Sequence, residues 1–174
     1  MALDAQTAKP PSLLLRVLVG RNPKRTLVRA AVLAALCLVC FKFVLVRVRV
    51  EGGSMLPTYK DRSVHVVNRL AYLFHEPQRG DVVTIGMLAG DHVMYLKRII
   101  GLPGETVAFH QGRLYINGHP VEEPYVKLPN AWEHEDIPVR PGHYYVVGDN
   151  RDMPWEDHTQ GRVARDHIVG KVVL

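Results

Sequence analysis

The hydrophobic pattern changes character once, near residue 50. From Leu27 to Val50 the chain reads LVRAAVLAALCLVCFKFVLVRVRV: Ala30 to Phe41 is unbroken apolar, Lys42 interrupts, and Phe43 to Val46 continues. A helix needs about 20 apolar residues to cross a hydrocarbon core about 30 Å thick. This run reaches that length if Lys42 lies near one end and extends its amine to the interface, as long side chains can. A cleavable export signal would close its apolar run with a small-x-small triplet. Here the run ends in FVLVRVRV, so the expectation is a retained anchor over 27–48. Leu13–Val19 is too short to span and is expected to lie along the cytoplasmic surface.

Beyond residue 50 the period falls toward two. SVHVV (63–67), DVVTI (81–85), HVMYLKRII (92–100), ETVAFH (105–110), RLYI (113–116), HYYVV (143–147) and HIVGKVV (167–173) are rich in β-branched and aromatic residues and read as strands. LPGE (102–105) carries Pro and Gly in the order of a type II turn, and Asn117-Gly118 suits a type I′ hairpin. Only VNRLAYLFH (67–75) suggests a short helix, and Asn130–Arg140 reads as an irregular excursion. The fold class expected is mainly β: a mostly closed antiparallel domain behind one N-terminal transmembrane helix.

Charge refines this division. The 174 residues carry a net +5, yet residues 1–50 hold nine Lys/Arg against Asp4 alone, and residues 51–174 hold thirteen against sixteen Asp/Glu. The body is mildly acidic, so the high pI is no sign of nucleic-acid binding. The basic flank instead orients the anchor, with residues 1–26 cytoplasmic and 49–174 outside. Cys37 and Cys40 both sit in the apolar run and read as core or lipid-facing residues, leaving the body without a disulfide.

Candidate chemistry centres on EGGSMLPTY (51–59). Two glycines allow close backbone approach and Pro57 stiffens the exit, a setting that suits Ser54 as a nucleophile but also describes a plain loop. None of the nine histidines has a spacing such as HExxH, so neither a metal site nor a cofactor is expected. Lys97 lies in VMYLKRIIG, where the strand is apolar on both faces. Burial lowers a lysine pKa, and a neutral amine could take a serine proton. Periodicity does not choose between Lys97 and Arg98; chemistry does, because arginine stays protonated. On these residues alone, serine–lysine catalysis and a binding module with a stem-packed lysine both remain open.

SMLPT (54–58), GDVV (80–83), YLKRIIGLPGE (95–105), GDNR (148–151), Gly161 and IVGK (168–171) occur in the order seen in type I signal peptidases, and the chain resembles that family over most of residues 50–174. Repressor-type autoproteases also use serine and lysine but lack the anchor and this pair of boxes. The resemblance implies the family's β-domain, Ser54 as nucleophile and Lys97 as general base. It further implies the Ser54 backbone N–H as oxyanion donor, Met55 beside the substrate's small-residue pocket, and an ion pair between Arg98 and Asp149. Secretory preproteins and membrane lipid would be the partners, with the export machinery a further candidate. The location implied is the bacterial inner membrane, with the catalytic domain periplasmic or extracellular and Ser54 close to the lipid.

Two departures stand out. Gly52 replaces a serine that adds an oxyanion donor in many members. GDNRDMPWEDHTQG places Pro154 where a serine that orients the lysine is expected, with Glu156 and His158 at the positions of an acid and an arginine. Asp152, Asp157 or a water are the candidates to orient Lys97, and Glu156 with His158 would form a softer charge pair. Narrower readings are a maturation peptidase for a pilin or secretion-system subunit, a non-catalytic anchored β-module, and a self-cleaving regulator.

Overall fold

The computed structural model describes residues 22–86, 94–127, 131–158 and 161–173. Leu13–Val19, most of the basic arm over 1–26 and the start of the strand expected at residue 92 lie outside the described residues. The chain divides into two compact units, Met1–Lys42 and Phe43–Leu174.

Helix α1, Pro23–Val39, opens on Asn22, whose carbonyl accepts from Thr26 N–H, with proline at its first turn where no N–H is required. Its helical path continues as a π-helical turn over Cys40–Val44. Lys24–Val44 has a mean hydropathy of 2.3 and is long enough to cross a bilayer. Leu27, Leu33, Leu36, Leu38 and Phe41 are all more than half exposed among the described residues. The stretch expected as one segment over 27–48 divides at Val44. Beyond it LVRVR alternates, and Leu45–Arg49 is strand β1 with both arginines exposed.

The second unit is antiparallel throughout. Its strands are β2 (Val64–Asn68), β3 (Val82–Gly86), β4 (Met94–Gly101), β5 (Thr106–His110), β6 (Arg113–Ile116), β7 (His119–Val121), β8 (His134–Pro138), β9 (His143–Val147), β10 (Gly161–Ala164) and β11 (Ile168–Val172). A seven-stranded sheet runs β1-β2-β11-β3-β4-β9-β10 and a four-stranded sheet β7-β6-β5-β8. Each runs open from edge strand to edge strand, where the pattern suggested a mostly closed domain. The turns follow their residues. Gly104 has φ +84 and Glu105 N–H donates to Leu102 O, a type II turn; Asn117 and Gly118, at φ 51 and 77, join β6 to β7.

Two expectations change. VNRLAYLFH is not a helix: β2 runs to Asn68, whose Oδ1 accepts from Leu70 N–H, and the chain turns through Leu73 with Tyr72 alone buried. Within Asn130–Arg140 lies β8, a strand that sequence hides because its residues are mostly polar and it buries little.

The chain crosses between sheets at Gly101. One core cluster, including Ile100, Val107, Phe109, Trp132 and Val147, joins β4 and β9 to β5. A Cβ on Gly101 would lie 2.5 Å from Val107 Cγ2 and 2.9 Å from Tyr145 Cβ. We therefore expect Gly101→Ala to destabilise the domain by about 2–3 kcal/mol in chemical unfolding. A variant as stable as the parent would show that the crossing tolerates a side chain.

Candidate active site

Residues 51–62 form a loop closed at its neck, where Val50 N–H donates to Ser63 O and Arg62 N–H to Val50 O, each at 2.9 Å. Asp61 Oδ1 ties the loop internally by accepting from Gly52 N–H at 2.8 Å. Gly52 has φ +91, a conformation that side chains disfavour. Met55 anchors the loop to the body: it is 1% exposed and packs with Val50, Val67, Val82, Leu96 and Val172. Ser54, its neighbour in sequence, is thereby fixed at the edge of the core.

A second segment grips Ser54 from above. After β9 the chain reads GDNR, and Asn150 N–H donates to Ser54 O at 3.0 Å while its side-chain Nδ2 donates to Gly53 O at 2.9 Å. Gly148 permits this approach. A Cβ there would lie 2.1 Å from Ser54 O, a backbone atom that cannot step aside. The sequence marked GDNR as a motif but did not show what Gly148 and Asn150 do, because both act on backbone distant in the chain.

Lys97 comes from β4, where it pairs with Val83, and is 2% exposed. Its Nζ lies 2.9 Å from Ser54 Oγ. Burial lowers its pKa from 10.5 to about 8, because a low-dielectric surrounding disfavours the ammonium. The charged amine donates to Oγ; the neutral amine has a lone pair for the hydroxyl proton. Serine and a partly neutral base are thus in direct contact.

Arg98, one residue on, is held charged. Its guanidinium donates to both oxygens of Asp149, at 2.8 and 2.6 Å, and to Gly80 O at 2.7 Å. It also lies 3.9 Å over the ring of Tyr125. Thr58 Oγ1 adds a donor to Asp149 Oδ2 at 2.6 Å, linking this pair to the loop that carries Ser54. A second buried pair, Arg151 with Glu123, braces the same segment, and Arg151 Nε donates to Gly148 O at 2.9 Å.

A cleft of about 540 Å³ opens beside Ser54. Val46, Val48 and Val50 line it with Met55, Met94 and Leu96. The seven-stranded sheet curls so that β1 and β4, separated by three strands, both face it.

The sequence model of the family described as signal peptidase, peptidase S26, matches residues 24–174. The chain belongs to the signal peptidase family. It is 33% identical over 130 residues to a probable signal peptidase I-2 of Synechocystis sp., covering 72% of this chain and 60% of that one. It is 35% identical over 134 residues to a signal peptidase I of Leptolyngbya laminosa, covering 72% and 65%. A signal peptidase IB of Staphylococcus aureus is 31% identical over 165 residues, covering 84% and 85%. The matched region thus spans 60–65% of the length of the first two relatives. Within this family the apolar helix Pro23–Val39 and its continuation to Val44 fit a membrane anchor.

The last signal peptidase box is rearranged. Asp152, Asp157, Pro154 and Glu156 are exposed, whereas His158 is buried. His158 does not pair with Glu156 as the spacing suggested; its Nε2 meets Asn150 O instead.

Two substitutions test this electrostatic arrangement. Folding Lys97 into the core costs stability wherever the unfolded chain holds its proton more tightly, which is below pH 10.5. Lys97→Met should therefore raise unfolding stability at pH 7 by about 2–3 kcal/mol. The gain should shrink as pH rises from about 8 towards 10.5; a gain independent of pH would show that the amine is solvated. Asp149→Asn, which strands the Arg98 charge, should destabilise by about 3–5 kcal/mol at neutral pH in the same unfolding measurement.

Proposed function

We propose that this chain is a membrane-anchored serine endopeptidase that removes signal peptides from exported preproteins. The observation that carries the reading is the 2.9 Å contact between Lys97 Nζ and Ser54 Oγ, with the amine buried and its pKa near 8. As Oγ attacks the scissile carbonyl carbon, Lys97 takes the hydroxyl proton, and the Ser54 backbone N–H donates to the developing oxyanion. Gly52 N–H is engaged by Asp61, which leaves Gly52 shaping the approach and not donating. The C–N bond then breaks, and the leaving amine takes the proton from Lys97. Water attacks the resulting ester, losing its proton to Lys97, and the Ser54–acyl bond breaks as Oγ takes that proton back from Lys97.

The cleft lined by Met55 and the β1 valines would receive the residues before the cut. Arg98 and Asp149 hold the frame and take no proton. The basic arm of residues 1–26 would remain cytoplasmic, residues 27–44 would span the inner membrane, and the β-domain would work on the far side among lipid and the export machinery. This division keeps the expected domain order while ending the anchor where helix gives way to β1.

The test is cleavage of a preprotein in detergent by the full chain. Ser54→Ala and Lys97→Ala should each reduce processing by at least about 1,000-fold. For the parent, kcat/KM should climb along an alkaline limb centred near pH 8, where Lys97 loses its proton. Processing that survives either substitution, or that is already maximal at pH 5, would exclude this mechanism.

A further inference from the structure

His158 is buried, 6% exposed, in the turn that follows the short helical segment Trp155–Asp157. Its backbone N–H donates to Trp155 O at 3.1 Å, and its ring meets Trp132 edge-on at 5.0 Å. Nε2 lies 2.5 Å from Asn150 O; a carbonyl only accepts, so Nε2 carries the proton and Nδ1 the lone pair. Nδ1 is buried without a hydrogen-bond partner among the described residues. The ring also packs on Gly148, since a Cβ there would lie 3.0 Å from His158 Cε1 and 2.1 Å from Ser54 O.

These contacts form one continuous path. His158 holds the carbonyl of Asn150; Asn150 holds the carbonyls of Gly53 and Ser54 with its side chain and its amide. We propose that His158 is a positioning residue for the nucleophile, fixing the Ser54 peptide through Asn150. The inference rests on the serine–lysine mechanism proposed above.

The ring acts as a neutral donor. Its charged neighbours are the cations Lys97 and Arg151 and the carboxylate of Asp157, and burial together with the cations disfavours a second ring proton. A proton on Nδ1 would also be a buried donor with no acceptor among the described residues. His158 therefore orients the site without adding a cation beside the amine that must lose its charge.

The test uses the full chain in detergent with a preprotein substrate, measuring kcat, KM and thermal unfolding for four variants. A glutamine carboxamide can place an N–H near the Nε2 position, whereas the shorter asparagine side chain cannot reach it. His158→Gln should keep kcat within about 3-fold of the parent, and His158→Asn should lose about 10–100-fold, with KM little changed and the alkaline limb still near pH 8. Asn150→Ala should lose a similar factor, and combining it with His158→Asn should cost nothing further, because both cut the same path. Equal kcat for the Gln and Asn variants, or losses that multiply in the double variant, would overturn the role of His158. Undiminished cleavage by Ser54→Ala would instead overturn the mechanism beneath it. If Asn150→Ala or the double variant unfolds, the comparison of His158→Gln with His158→Asn decides alone.

Discussion

The site depends on a lysine amine taken out of water without a carboxylate to neutralise it. Ordinarily a buried charge is paired or the group shifts its pKa and gives up the charge. Lys97 takes the second course, and burial alone brings its pKa to about 8. Such an amine weakens the fold, because the unfolded chain solvates it fully. The cost lies in the same physical fact as the reactivity: an environment that welcomed the ammonium would also abolish the base.

The neighbouring residue shows the opposite solution on the same strand. Arg98 cannot shed its proton, so its burial demands a carboxylate and acceptors, and Asp149 and Gly80 O take three of its N–H groups. Thr58 then joins Asp149 to the loop that carries Ser54. Two adjacent cations thus divide the labour. One is paired with a carboxylate and fixes the frame; the other is buried beside a serine hydroxyl with its pKa lowered.

Ser54 is held mainly by its backbone. Met55 anchors the loop from below, and Asn150 grips the Gly53 and Ser54 carbonyls from above, with Gly148 allowing the contact. This leaves Oγ free to meet Lys97 on one side and the cleft on the other.

Much of this was readable in one dimension. The apolar run, the basic flank, the strands with β-branched alternation and the two glycine turns each follow from local physics, and motif order linked Ser54 to Lys97 and Arg98 to Asp149. Strands β7, β8 and β10 escaped because they are short and bury little, so no alternation marks them. The change from helix to strand after Val44 escaped too, since the apolar residues run on through Val46 and pairing with β2 makes Leu45–Arg49 a strand. His158 resembled a surface residue, and its burial is set by Trp132, Gly148 and Asn150, which lie 8 to 26 positions away. Sequence by itself determined the chemical types and the local conformations, because those depend on neighbours along the chain. Tertiary structure decided which amine loses its charge and which backbone is clasped, because dielectric and hydrogen-bond geometry depend on groups brought together only by folding.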